Sequence, residues 1–251
     1  MVIDTHVHCG IQESYPSQSF EDYLGAIKGT GIRGAIMFPP IMEIYNRYDP
    51  NFEDDQEWQL RRKRANDYLL TLGNDQLVVF PYLFIWNDFA VENLTAMHRG
   101  IKIHRHADEP IYKYGDERCA AVVRQIRKRN MPVLLEEELI NTLQFIKEVA
   151  IGVKVIIPHL GFFNGGYRTI SRHAIWELSN IYTDTSLAPP DDIIDYVKTY
   201  GDERILFGSD FPIGDPRSEL KKIIKLDIPK SMKRAIAITN TKKLLGGVTF
   251  G

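Results

Sequence analysis

Val2-Ile3-Asp4-Thr5-His6-Val7-His8 opens the chain as an apolar strand that carries two histidines. A strand repeats every two residues, so this run is expected to put Asp4, His6 and His8 on one face. Ile3, Thr5 and Val7 then take the other. Two imidazoles side by side at a rigid strand end make half of a metal site. A polar strand face turned to water is the simpler alternative. Against it stand the apolar opposite face and the His and Asp residues that recur at later strand ends.

Outward from this run, apolar strands alternate with helical patterns to the end of the chain. Strands are predicted at Val2–His8, Arg33–Phe38, Leu77–Ile85, Gly100–His104, Pro132–Glu136, Val153–Pro158, Ile181–Asp184 and Arg204–Phe207. Helices are predicted near Phe20–Lys28, Gln56–Leu72, Val91–Met97, Glu117–Arg129, Leu139–Val149, Ile170–Leu178, Asp191–Tyr200 and Ser218–Leu226. A last helical stretch, about Ser231–Leu245, stops at Gly246-Gly247, which reads as a C-cap. Continuous apolar strands separated by helices imply a parallel sheet covered on both faces. Eight such strands in 251 residues suit a closed (β/α)8 barrel, regular or distorted, better than an open doubly wound sheet. The expectation is therefore an α/β chain forming one TIM-barrel domain over residues 1–251, with an extra C-terminal helix.

Composition narrows the partners. The chain is 44% hydrophobic and 25% charged with a net charge of -2, so it lacks the basic excess that nucleic acid demands. The run Arg61-Arg62-Lys63-Arg64 follows acidic Glu53, Asp54, Asp55 and Glu57 and reads as a partly paired helix face. Cys9 and Cys119 cannot make a disulfide framework. No apolar run reaches the ~18 residues of a membrane span, and no signal peptide is read before the first strand. The expectation is a cytoplasmic protein that acts on a small molecule, without nucleic acid or membrane, and compatible with a homo-oligomer. Two loops stand out: Pro39 to about Asp55, too long for a mere connection, and the glycine-rich Gly161–Tyr167 directly after His159.

A barrel places its chemistry at the C-terminal strand ends. The first supplies His6 and His8. The fourth puts Lys102 and His104 on one face, a costly basic pair unless it meets carboxylate, metal or an anionic substrate. His106 follows in the loop, either functional or solvated. The fifth ends in Glu136-Glu137-Glu138, of which Glu137 and Glu138 fit the acidic start of a helix and Glu136 fits the site. The sixth ends at His159, and the eighth delivers Asp210 beside Gly208. Taken singly, each has a structural explanation. Together they fit a catalytic divalent cation with an open position. His98 and His173 fall in helical segments and read as surface.

These residues, in this order, resemble the amidohydrolase superfamily. The likeness is to its amidohydrolase-2 group of TIM-barrel metal-dependent hydrolases and decarboxylases, which includes aminocarboxymuconate-semialdehyde decarboxylase. Asp4–His8, Gly100–His104, Pro158–Gly161 and Phe207–Pro212 carry the likeness, as does the closing Thr239–Gly246. The resemblance implies that His6, His8 and Asp210 bind a divalent metal, usually zinc. It makes His159 the catalytic histidine and Asp210 also the proton acceptor, with Lys102 and His104 in the substrate pocket.

Glu136 departs from the group, which usually has a metal-binding histidine there. A divalent ion on three histidines and an aspartate is net +1; with Glu136 it is neutral, which weakens the Lewis acid. A second carboxylate also hardens the ligand set toward manganese, iron or magnesium, and it allows a second metal bridged by Glu136. The leading expectation is a hydrolase of a small amide, ester, lactone or similar carbonyl substrate through metal-activated water. The alternatives are a decarboxylase of an aromatic or unsaturated acid, and a barrel without chemistry that binds a ligand or partner. In the last, Glu136 pairs with Lys102 instead of metal.

Overall fold

Eight parallel strands succeed one another around a ring in chain order, each hydrogen-bonded to the next. They are β1 (Val2–His8), β2 (Ile32–Phe38), β3 (Val78–Phe84), β4 (Gly100–His104), β5 (Val133–Glu136), β6 (Val155–Ile157), β7 (Ile181–Asp184) and β8 (Ile205–Leu206). The computed structural model describes residues 1–12 and 18–246. Strand β8 is short, but the chain beyond it completes the ring against β1. Thr5 N donates to Phe207 O at 2.9 Å, Asp210 N to His6 O at 2.8 Å, and His8 N to Phe211 O at 2.9 Å. The expected (β/α)8 barrel is what forms.

Helices α1 (Phe20–Ile27), α2 (Gln56–Leu69), α3 (Glu117–Arg129), α4 (Leu139–Gln144), α5 (Tyr167–Arg172), α6 (Pro190–Tyr200), α7 (Pro216–Lys225), α8 (Lys230–Arg234) and α9 (Asn240–Leu244) lie among these strands. Their ends follow local chemistry. Asp116 caps α3 by accepting from Arg118 N, three basic residues fill its last turn, and Asn130 closes it in the left-handed region. Asp215 caps α7 with Pro216 at the first helical position. Val133, Leu134 and Leu135 of β5 are wholly buried, each contributing about 1.5–3 kcal/mol of hydrophobic stabilisation.

Four expectations change. Val91–Met97 is only a single helical turn, Val91–Asn93, because Leu94 turns extended and Thr95 Oγ1 accepts from Met97 N. His98, expected at the surface, is buried, and its Nδ1 accepts from Thr95 N at 3.1 Å; His173 is exposed as expected. The helix expected over Ile170–Leu178 divides into α5 and a turn at Ile175–Glu177, separated by Ala174 at φ 56°. The last change concerns β1. Between Asp4 and Val7 this strand advances three residues while β2 advances two, Ala35 to Met37. The extra residue is a bulge, and it breaks the alternation. Asp4 therefore does not share the site with the histidines. Its carboxylate accepts from Tyr23 Oη of α1 at 3.0 Å and from Ser209 Oγ at 2.6 Å. Gly246 has φ 82° after α9 and suits the expected cap; Gly247 lies outside the described residues.

Candidate active site

A cavity of about 410 Å³ opens at the C-terminal strand ends. His8, His104, His106, Glu136 and Asp210 line it together with Ile41, Met42, Arg47, Phe163, Leu187 and Ile213. His6 and His159 sit beneath, fully buried. The expected residues of β1, β4, β5, β6 and β8 are thus brought to one place.

On one side of the floor, Asp210 Oδ1 lies 3.3 Å from His6 Nε2 and 3.5 Å from His8 Nε2. Donors bound about 2.0–2.2 Å from one cation stand roughly 3.0–3.5 Å apart, so this spacing suits a divalent metal. His6 Nε2 and His159 Nε2 are both buried without a hydrogen-bond partner, and on His6 this is what a lone pair aimed at a cation would show. Glu136 Oε2 stands 3.9 Å from His6 Nε2 and 3.7 Å from His159 Nε2. The donor set fits the metal that the sequence implies.

Glu136 has a second set of neighbours. Its Oε2 accepts from Lys102 Nζ at 2.8 Å, and its Oε1 meets His106 Nε2 at 2.7 Å and His104 Nε2 at 3.4 Å. Lys102 is entirely buried, with its ammonium 4.6 Å from the Phe38 ring centre, and it does not line the cavity. Its partner is Glu136, whereas His104 does reach the cavity. Burial alone would raise the Glu136 carboxyl; Lys102, His104 and His106 outweigh it and hold the group well below the usual carboxylate range. Burial lowers His104 to about 3 and His8 to about 4, leaving both neutral. For His159, burial is outweighed by Glu136, Asp210 and Asp184, which raise it to about 9. At Asp210, burial alone would raise the carboxyl, but His6, His8 and His159 outweigh it and lower the group.

His159 (φ 56°) and Asp210 (φ 58°) both adopt left-handed backbone, a conformation that concentrates at functional sites. Gly208 serves a different need. A Cβ built there would lie 3.1 Å from both His6 Cβ and Asp184 Cγ, a tighter contact than side chains ordinarily make.

Several neighbours were not singled out by the sequence reading. Asp184, at the end of β7, accepts from His6 Nδ1 at 2.9 Å. Ser186 Oγ lies 2.8 Å from His159 Nδ1. Arg47, from the long loop after β2, pairs with Glu109 and lies 3.1 Å from His106 Nδ1. Tyr45 Oη donates to Glu109 Oε2 at 2.6 Å. His106 packs flat on Phe163 with ring centres 4.2 Å apart. Asp184 was open to the strand-end rule already applied to the others. Arg47 was not, because its position depends on a loop path. Arg105 turns away from the cavity onto Glu137 and Glu138.

Residues 150–247 match the amidohydrolase family, a stretch that holds both His159 and Asp210 and bears out the resemblance read from the sequence. No curated protein matches the chain. Among solved structures, a 2,6-dihydroxybenzoate decarboxylase bound to 2,6-dihydroxybenzoate superposes with TM-score 0.73 at 15% identity, over 97% of this chain and 98% of its own. A candidate 2-pyrone-4,6-dicarboxylic acid hydrolase from Pseudomonas putida gives TM-score 0.65 at 14% identity, over 99% and 98%. A dihydroxybenzoic acid decarboxylase from Polaromonas sp. JS666, with manganese and 2-nitroresorcinol bound, gives 0.69 at 11%, over 97% and 96%. At these identities the likeness establishes the shared barrel.

Proposed function

We propose that this barrel, whose residues 150–247 match the amidohydrolase family, is a metal-dependent hydrolase of a small carbonyl compound. The observation that carries the reading is the convergence of His6 Nε2, His8 Nε2 and Asp210 Oδ1, with Glu136 Oε2 at a fourth corner. When bound, a divalent cation polarises a carbonyl and lowers the pKa of water. Asp210, ionised beside the histidines, accepts the proton of the attacking water. His159, raised to about 9 by Glu136, Asp210 and Asp184, stabilises negative charge that develops on the substrate oxygen and can return a proton to the leaving group. The apolar wall of Ile41, Met42, Leu187 and Ile213, with the Phe163 ring, holds a flat or apolar body.

Two histidines and one or two carboxylates accept zinc, manganese or iron; magnesium suits them less because of its preference for oxygen. One cation is favoured over two. A second would sit on His104, His106 and Glu136 Oε1, close to the cationic Lys102 and Arg47. The Lys102–Glu136 pair expected of a barrel without chemistry is present, yet it leaves the His6–His8–Asp210 triad intact.

A decarboxylase of an aromatic or unsaturated acid is the second reading. It is favoured by the Arg47 guanidinium at the cavity wall, a partner for carboxylate, and by the decarboxylases that share the barrel. Zinc- and manganese-loaded protein should be offered lactones, esters and amides alongside aromatic carboxylic acids in oxygen-18 water. Hydrolysis puts the label into the product. Carbon dioxide release with no label in the organic product selects the second reading. Protein that binds neither metal and turns over nothing defeats both.

A further inference from the structure

We propose that Asp184 is a positioning residue that fixes the ring orientation of His6 and His159 together, so that both turn Nε2 toward Asp210 and Glu136. The cation itself rests on the function proposed above; the orientation does not.

The inference follows from where each proton goes. Asp184 is wholly buried at the end of β7, and its two oxygens serve different partners. Oδ2 faces His6 Nδ1 at 2.9 Å. Oδ1 accepts from His159 N at 3.1 Å, from Ser186 N at 3.0 Å and from the Ser186 hydroxyl. A carboxylate only accepts, so His6 must carry its proton on Nδ1. Ser186 donates its hydroxyl hydrogen bond to Asp184, so its Oγ accepts from His159 Nδ1 at 2.8 Å, a donor shared with the Ser186 carbonyl at 3.2 Å. One carboxylate thereby orders two imidazoles, one directly and one through a hydroxyl. The rings stand 4.6 Å apart, and Nε2 of each is left without a partner on the side facing the carboxylates. A buried carboxylate behind a ligand histidine orients the ring and raises its basicity.

Asparagine cannot replace this group. If its carbonyl accepts from His6, its amide NH2 confronts the backbone N–H groups of His159 and Ser186. If it is flipped, the NH2 points at His6 Nδ1 and drives the proton to Nε2, where it blocks metal. Either choice breaks one arm.

The test reads imidazole protons by nitrogen-15 NMR on metal-free protein and manganese affinity by titration. In wild type, His6 should be protonated at Nδ1. Asp184→Asn should shift that proton wholly or partly to Nε2 and weaken manganese binding roughly 10–100-fold. Ser186→Ala, which removes only the His159 arm, should keep the His6 tautomer and bind manganese within about threefold of wild type, while changing the His159 Nδ1 signal. Wild-type His6 protonated at Nε2 overturns the proposal without recourse to any variant, so an Asp184→Asn protein that fails to fold does not shield it. Folded Asp184→Asn with an unchanged tautomer and affinity also overturns it. If wild type takes up no cation, the metal reading fails alone, and the tautomer shift in Asp184→Asn still supports the positioning role.

Discussion

On the β1, β6, β7 and β8 side of the cavity, the chemical groups stand on strand ends or no more than four residues beyond them, tied across the barrel. His6 is backed by Asp184, His159 by Ser186, and Asp210 N by the carbonyl of His6. On the β2 and β4 side, loops supply the groups. Arg47 and Tyr45 reach in from the 39–55 loop and meet Glu109 and His106 from the loop after β4. The first side is fixed by the sheet and suits bond-making steps that tolerate little displacement. The second is fixed by loop-to-loop ion pairs and suits recognition, which varies while the barrel stays the same.

Breaking the strand side should have the largest effect. His6→Ala should lower bound metal to background and abolish turnover, and a strong chelator should do the same to wild type, reversed by adding metal back; elemental analysis alongside an activity assay decides it. The contrast fails if metal content survives the substitution. Next is the anchor of the loop side. Arg62 is buried on α2, donates to Ile44 O at 2.6 Å, and pairs with Asp54 at 2.8 Å and Asp88 at 2.6 Å. Arg62→Ala leaves two half-buried carboxylates unmatched and should destabilise the fold by about 3 kcal/mol, measured by urea unfolding. Arg47→Ala should be milder and more selective. For a carboxylate substrate it should raise KM roughly 10–100-fold, with a smaller change in kcat and no loss of metal. An equal fall in kcat would move Arg47 to the chemical side and erase the distinction.

The same division separates what was readable in the sequence from what was not. Strands β1, β4 and β7 fall at the expected residues, because parallel-barrel strands are continuous apolar runs closed by a polar residue. His6, His8, His104, Glu136, His159 and Asp210 were visible for that reason. Asp184 satisfies the same pattern, as the polar residue that closes β7. The pairing of Lys102 with Glu136 was legible only as an alternative, because strand register, here His104 opposite Glu136, is a property of the assembled sheet. Arg47 and Glu109 are 62 residues apart and joined by loop geometry that no periodicity encodes. The β1 bulge was hidden as well. Counting by twos put Asp4 beside the histidines, and one extra residue sent it to Ser209.

The crowding at Gly208 gives the site a manufacturing tolerance. Its φ is not among the positive ones, so glycine is there for clearance rather than for backbone freedom. The bare α-carbon lets the chain beyond β8 run past the His6–Asp184 hydrogen bond like a shim of minimum thickness, where a single methyl group would lie 3.1 Å from both partners. For protein engineering this locates a throttle outside the reacting groups. Gly208→Ala would ask His6 or Asp184 to give by a few tenths of an ångström, detuning the centre without removing any ligand or any charge.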